Sequence, residues 1–357
     1  MSLAAIAACV AFTSCSNEDE PSVVNGGAVA LTKVNVGINS LSSRSGITAT
    51  SFAGNESIGL FLFGGDGIDD AVNGRYNVGD NQALVEPLNV KYTRGADAGN
   101  AENPEWWTSQ NPIILSSKAG KLYSYYPYAE GAGNTDATKI PVRVASSQGT
   151  GISDGTSTSD GNPQFDYMYS SAISNVNNTT EHVDLVMNHA LTMVTFKFVR
   201  NTYPGDGLIS KIQLRNKQDG TYVKNGDATL HLGTGAITGG TAGEVYCLPN
   251  VVLTDVSASD AIPHMLVYPN AAKLAADDVV LAITMDGKNY EIALPNTLAS
   301  TGDTYEWLAG NNYVYTLNMN GYGFGADDED GRKNIDVTIE PWKEQVTSSG
   351  DLNKPVN

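Results

Sequence analysis

The sequence predicts an all-β chain built as two β-sandwiches in tandem. Three observations carry that prediction. Apolar residues recur at every second position rather than at helical spacing. Runs of strand length are bounded by Gly, Asn, Asp and Pro. No window holds a helical apolar stripe longer than about two turns. Composition agrees, since 37 glycines and 17 tyrosines in 357 residues suit many turns and pleated, half-buried surfaces.

The first element is not part of the fold. Leu3 to Phe12 is a short apolar stretch that runs into Thr13-Ser14-Cys15 and then an acidic segment from Ser16 to Pro21. An apolar h-region ending in small residues is a secretory signal. A cysteine directly after them looks like the lipobox of a bacterial lipoprotein, with Cys15 as the lipidated first residue of the mature chain. Acyl chains on Cys15 would anchor it durably, at about 0.8 kcal/mol per buried methylene. No Lys or Arg precedes Lys33, so the usual basic n-region is missing. On the apolar stretch and the lipobox, residues 1–15 are expected to be signal, and residues 16–30, polar and acidic, a flexible stalk.

Strands follow. Val34, Val36 and Ile38 alternate with Asn35 and Gly37. Ile58 to Phe63 is a continuous apolar run, and Leu88, Val90 and Tyr92 alternate again. Leu122 to Tyr128 is aromatic-rich, and Val142 and Val144 flank Arg143. Ala145 to Gly161, rich in Ser, Thr, Gly and Asp, reads as a long surface loop. Val183, Leu185 and Met187 alternate, and Met193 to Val199, Ile209 to Leu214 and Leu230 to Leu232 continue the series. Met265 to Tyr268, Val279 to Met285, Tyr290 to Leu294, Tyr313 to Met319 and Ile335 to Ile339 complete it. Short helical pieces are expected near Asn270 to Ala276 and Leu298 to Ala299. The boundary is placed near Asn188-His189, giving domains 31–187 and 188–345 and a polar tail, 346–357.

Charge excludes some partners. With 21 Lys and Arg against 39 Asp and Glu the net charge is −18, which repels nucleic acid and anionic headgroups. Of three cysteines, Cys9 and Cys15 belong to the signal. Cys247 is then alone, cannot form an internal disulfide, and reads as a buried strand thiol.

No catalytic set emerges, and no cofactor or metal is implied. Gly151-Ile152-Ser153-Asp154-Gly155 matches the G-x-S-x-G string, but loop-like flanks replace the strand and helix it needs. His182, His189, His231 and His264 lack metal-ligand spacing. His182 and His189 are expected to be hydrogen-bonded structural residues that could meet across a corner. Asp327-Asp328-Glu329-Asp330-Gly331 misses the calcium-loop spacing and reads as a solvated hairpin tip, and Asp66 to Asp70 is a weaker case. Trp106, Trp107, Tyr123, Tyr125, Tyr126 and Tyr128 form either core and cross-strand pairs or a sugar-stacking platform. The second option makes the alternative function a surface glycan-binding lipoprotein.

Three stretches carry a family likeness. They are Ser43-Arg44-Ser45-Gly46 with Phe52 and Ile58-Gly59-Leu60-Phe61; Phe165 to Tyr169 with Val183 to Leu191; and Gly310 to Leu317 with Val337-Thr338-Ile339-Glu340-Pro341-Trp342. The chain resembles the fimbrillin-like lipoproteins of Bacteroidetes, subunits of protease-assembled fimbriae. The resemblance implies two transthyretin-like Greek-key β-sandwich domains in tandem. It implies a non-enzymatic subunit exposed on the outer membrane, acting in fimbria assembly and adhesion. It further implies cutting after Arg44 by a trypsin-like processing protease and loss of the strand Val34, Val36 and Ile38. The open template left behind would then be filled by a neighbour's strand, the candidate donor anchors being Ile335, Val337, Ile339 and Trp342. The implied partners are other fimbrial subunits in a head-to-tail filament, the outer membrane through the lipid, the processing protease and a surface receptor.

Overall fold

A computed structural model describes residues 23–24, 27–39, 52, 55–65, 67–68, 76, 88–95, 106–131, 135–149, 154–157, 163–200, 203–253, 263–319 and 335–341. Cys15, Arg44, Ser153, Trp342 and the acidic run Asp327 to Asp330 lie outside them. Among the described residues every regular element is a strand, so the all-β prediction holds.

The first half forms an eight-stranded sheet. Its order is Met168–Ser170, Val183–His189, Val34–Ile38, Trp107–Thr108, Val90–Arg94, Ser57–Gly64, Gly120–Tyr126 and Ile173–Val176. Met168–Ser170 also pairs with Gly120–Tyr126, so seven of these strands close into a ring. Closure leaves few free edges, which is how β-proteins avoid unwanted pairing. The second half is built from three sheets. One runs Ser147–Gln148, Glu244–Cys247, Leu208–Asn216, Val279–Met285, Lys288–Ala293, with Val251–Val252 also on Leu208–Asn216. Another runs His264–Val267, Thr192–Arg200, Asn311–Met319, Ile335–Pro341. The third runs Ile237–Ala242, Lys224–Leu230, Ile140–Val144.

Two apolar cores result, and one strand serves both. In Ser57–Gly64, Ile58, Leu60 and Leu62 enter the smaller core with Val34, Tyr92, Trp107 and Leu185. Phe61, from the opposite face, enters the larger core with Phe196, Leu214 and Trp307. Gly120–Tyr126 divides likewise, Leu122 to the smaller core and Tyr123 and Tyr125 to the larger. A strand buried on both faces reads as an unbroken apolar run rather than an alternation, which is the physical reason for Ile58 to Phe63. Gly59 is fixed by the same crowding, because a Cβ there would lie 2.1 Å from Tyr125 Cε1.

Two expectations are corrected. Ala145 to Gly161 does not begin as a surface loop, since Ser147–Gln148 is a buried strand running parallel to Tyr246 and Cys247. The Gln148 side chain explains it, donating Nε2 to Ala145 O and Leu266 O and accepting from Leu266 N. The expected helical pieces are turns. Asn270 Oδ1 accepts from Ala272 N at 3.0 Å, a side-chain bond that competes with helix formation. Leu298 O accepts from Gly302 N at 2.8 Å.

Candidate functional site

Val34–Ile38 lies between two unequal neighbours. It runs parallel to Val183–His189 in full register, Val34 opposite Val183 through Ile38 opposite Met187. On its other side it pairs with Trp107–Thr108 at Val34 alone. The strand is therefore held along one edge and, among the described residues, at a single point on the other. Its alternation sets the faces. Val34 is 0% exposed and Val36 and Ile38 are half-buried against the smaller core. Asn35 and Asn39 face outward, where Asn35 Nδ2 donates to Asp184 Oδ1 at 3.1 Å and Asn39 Nδ2 donates to Asn188 Oδ1 at 2.7 Å.

The floor of this seat is built by residues that follow Arg44 in the chain, and it is tied to the segment just before the strand. Tyr92 OH donates to Leu31 O at 2.8 Å and accepts from Ile113 N at 3.0 Å. Burial pushes its phenol well above the ordinary value, so it stays neutral. The Phe52 and Trp107 rings meet edge to face, centroids 5.1 Å apart. Val183, Leu185 and Met187 complete the floor.

The candidate donor occupies a different place. Ile335–Pro341 is the outer strand of its sheet, antiparallel to Asn311–Met319, with Ile335 opposite Leu317, Val337 opposite Tyr315 and Ile339 opposite Tyr313. Tyr313, Tyr315 and Leu317 are fully buried, whereas Ile339 is 41% exposed. The apolar face that Tyr313, Tyr315 and Leu317 present belongs to the larger core. That face is braced from within: Trp307 Nε1 donates to Tyr315 OH at 3.0 Å, Leu308 N donates to Tyr313 OH at 3.0 Å, and Tyr313 OH donates to Glu306 O. None of these bonds uses Ile335–Pro341, so its departure would orphan no tyrosine hydroxyl.

The histidines do not converge. His182 precedes and His189 ends one strand, which separates them by roughly 20 Å at strand rise and corrects the expectation of a corner meeting. His182 Nε2 lies 3.4 Å from Asp184 Oδ2, and its ring centroid lies 5.7 Å from that of Trp106. His189 Nδ1 is bonded to Asp166 Oδ2 at 2.8 Å, both buried. That pair lies where Met168–Ser170 meets Val183–His189; Asp166 belongs to the Phe165 to Tyr169 stretch of the likeness, but its partnership with His189 depends on register and was not legible in the sequence. Among the described residues no group of three His, Cys, Asp or Glu is placed to hold a metal. Cys247 is buried, and burial pushes its thiol up to about 12.

The aromatic platform is not formed. Trp107 is 2% exposed, and Tyr123 and Tyr125 are buried, Tyr125 OH donating to Asn89 Oδ1 at 2.7 Å. Trp106, Tyr126 and Tyr128 are half-buried, and Tyr126 OH donates to Glu56 Oε2 at 2.9 Å.

The fimbrillin-like family model matches residues 44–342. Solved structures share the fold. A candidate cell adhesion protein from Bacteroides uniformis ATCC 8492 is 21% identical with a TM-score of 0.54, over 89% of this chain and 100% of that one. A second, from Bacteroides ovatus ATCC 8483, is 16% identical with a TM-score of 0.57, over 88% and 98%. A fimbrial protein from Bacteroides vulgatus ATCC 8482 is 14% identical with a TM-score of 0.52, over 88% and 100%. No curated protein matches the chain.

Proposed function

The chain belongs to the fimbrillin-like family, and from that premise we propose that it is the precursor of a fimbrial subunit. It is a surface-exposed, non-enzymatic lipoprotein, anchored in the outer membrane through Cys15, that acts in fimbria assembly and adhesion. A protease cuts after Arg44 and the strand Val34–Ile38 leaves. A strand from a neighbouring subunit then takes its seat.

One observation supports this most directly. The outgoing strand reads Val34-Asn35-Val36-Gly37-Ile38 and the terminal strand reads Ile335-Asp336-Val337-Thr338-Ile339. Each presents three apolar residues at i, i+2 and i+4, the spacing that fills one face of a sheet. The two also differ in attachment. Among the described residues the first is bonded fully on one edge and at one point on the other, and the second is an outer strand. An emptied seat presents unpaired backbone beside an apolar floor, the template that β-augmentation uses. Each subunit giving a strand to the next makes a head-to-tail contact, which extends as a filament.

The test is limited trypsin digestion of the full chain, read by intact mass, N-terminal sequencing and light scattering. A new N-terminus at Ser45 and concentration-dependent oligomers are expected. A cut chain that stays monomeric and takes up no added strand peptide in the vacated seat would overturn assembly by strand exchange. Intact mass of the protein recovered from the cell surface reports acyl chains on Cys15 independently.

A further inference from the structure

Aligning the outgoing strand with the candidate incoming one, position by position, isolates a single mismatch. Ile335 in place of Val34 adds one methylene to a fully buried site. Val337 for Val36 and Ile339 for Ile38 leave the side chains unchanged. Thr338 falls at Gly37, where an added Cβ would meet only Leu185 O at 3.9 Å, an ordinary contact. Glu340 falls at Asn39, opposite the Asn188 amide, which can donate to a carboxylate. Asp336 falls at Asn35. There the opposing group is the Asp184 carboxylate, which now accepts the Asn35 amide at 3.1 Å.

Register cannot slide to relieve this. A shift of two residues one way places Pro341 at Ile38, inside a strand that bonds along its length to Val183–His189. A shift of two the other way places Lys333 at the Val34 site, which is 0% exposed. In its present sheet Asp336 lies opposite Thr316, a neutral partner.

We propose that Asp184 selects the strand that occupies the Val34–Ile38 seat, favouring an amide or a cation and disfavouring a carboxylate at the position of Asn35. The proposal rests on strand exchange as the mode of assembly. It makes the terminal strand of a second copy of this chain, entering in the direction of Val34–Ile38, an inferior donor. A subunit whose strand carries Asn, Gln, Lys or Arg at that position is the preferred one. His182 Nε2 lies 3.4 Å from the second Asp184 oxygen, and Oδ1, which accepts from Asn35, is the oxygen turned to the strand in the seat. Like charges directly opposite across two strands are unfavourable, and at an exposed pair the effect is roughly two- to five-fold in an equilibrium constant.

Two measurements test it. The first is denaturant unfolding of the full chain carrying Asn35→Asp, Asp184→Asn or both. Asn35→Asp is expected to lower the folding constant roughly two- to five-fold, and Asp184→Asn to abolish that loss in the double variant. Equal stability of Asn35→Asp and the unaltered chain would overturn the proposal. The second uses the full chain cut by trypsin and fluorescent peptides of the Ile335 to Glu340 sequence, with Asp336 or with Asp336→Asn. The Asn peptide is expected to enter several-fold more, and the difference to vanish on Asp184→Asn protein. Equal entry on unaltered protein, including entry in the reverse direction, would overturn the proposal. If neither peptide enters while the unfolding cycle shows the coupling, strand exchange fails and the Asp184 preference stands.

Discussion

Burial pushes His264 down to about 4, so its imidazole is neutral in the folded chain at neutral pH. An unfolded histidine titrates near 6.5, so between these values the unfolded chain binds more protons. The His264 contribution to stability is therefore complete above about pH 6.5 and is lost as pH falls toward 4. His264→Gln is expected to flatten that limb, seen as a smaller fall in the urea midpoint between about pH 7 and about pH 4.5. Unchanged slopes would refute it. Gly59 is a steric case. Its position leaves 2.1 Å between an added Cβ and the Tyr125 ring, and overpacking of this kind costs about 1–3 kcal/mol. Gly59→Ala is expected to lower unfolding free energy by that order, with Tyr125→Leu recovering part of it in the double variant. Cys247 needs no chemistry to explain it: a neutral, buried thiol is inert. In a chain with Cys9→Ser and Cys15→Ser, a thiol reagent is expected to label it only after unfolding.

At the scale of elements, alternation was the legible signal. Val34 to Ile38, Val183 to His189 and Val279 to Met285 alternate in sequence and lie in strands with one face buried. Signals failed where side chains replaced backbone pairing. Gln148 sits in a polar stretch, yet it is 6% exposed because its amide closes the edge of His264–Val267 at Leu266. Gln164 does similar work, accepting from Ala145 N and donating to Arg143 O and Phe165 O. Polar composition alone cannot distinguish such residues from loop residues, since the partners are more than 100 residues away in the case of Leu266. The seat around Val34 was partly legible, its three apolar positions from spacing and the likeness. Its outward contact between Asn35 and Asp184 was not, because it depends on register. Gln148→Ala is expected to leave the N–H and C=O of Leu266 unpaired in a buried edge, at about 1–3 kcal/mol for each group. Chemical denaturation would show the loss, and Gln148→Glu would keep the acceptor while losing the donor.

For the whole molecule, the pairing of the halves decides how it unfolds. Ile140–Val144 and Ser147–Gln148 precede the chain's return to the eight-stranded sheet, yet they pair with Lys224–Leu230 and Glu244–Cys247. Tyr268 OH fastens them further, accepting from Val144 N at 3.1 Å and donating to Gly226 O at 2.7 Å. Ser57–Gly64 and Gly120–Tyr126 present opposite faces to the two cores. Neither core can then open without stripping apolar surface from strands that serve the other, so the cores are expected to unfold together. Trp107 lies in the smaller core and Trp307 in the larger, which supplies a probe for each. Two variants test this, one keeping only Trp107 and one keeping only Trp307, the remaining tryptophans replaced by Phe. Their urea transitions, followed by fluorescence, are expected to coincide in midpoint and slope once corrected for the stability each set of replacements removes. A Trp107 transition that precedes the Trp307 transition, with the second unaffected by the first, would mean that each half folds alone. Coincidence carries a consequence for assembly. The shared strands would keep the second half folded only while the first half is closed, so under the proposed strand exchange a seat vacated by Val34–Ile38 would have to be refilled faster than the ring opens.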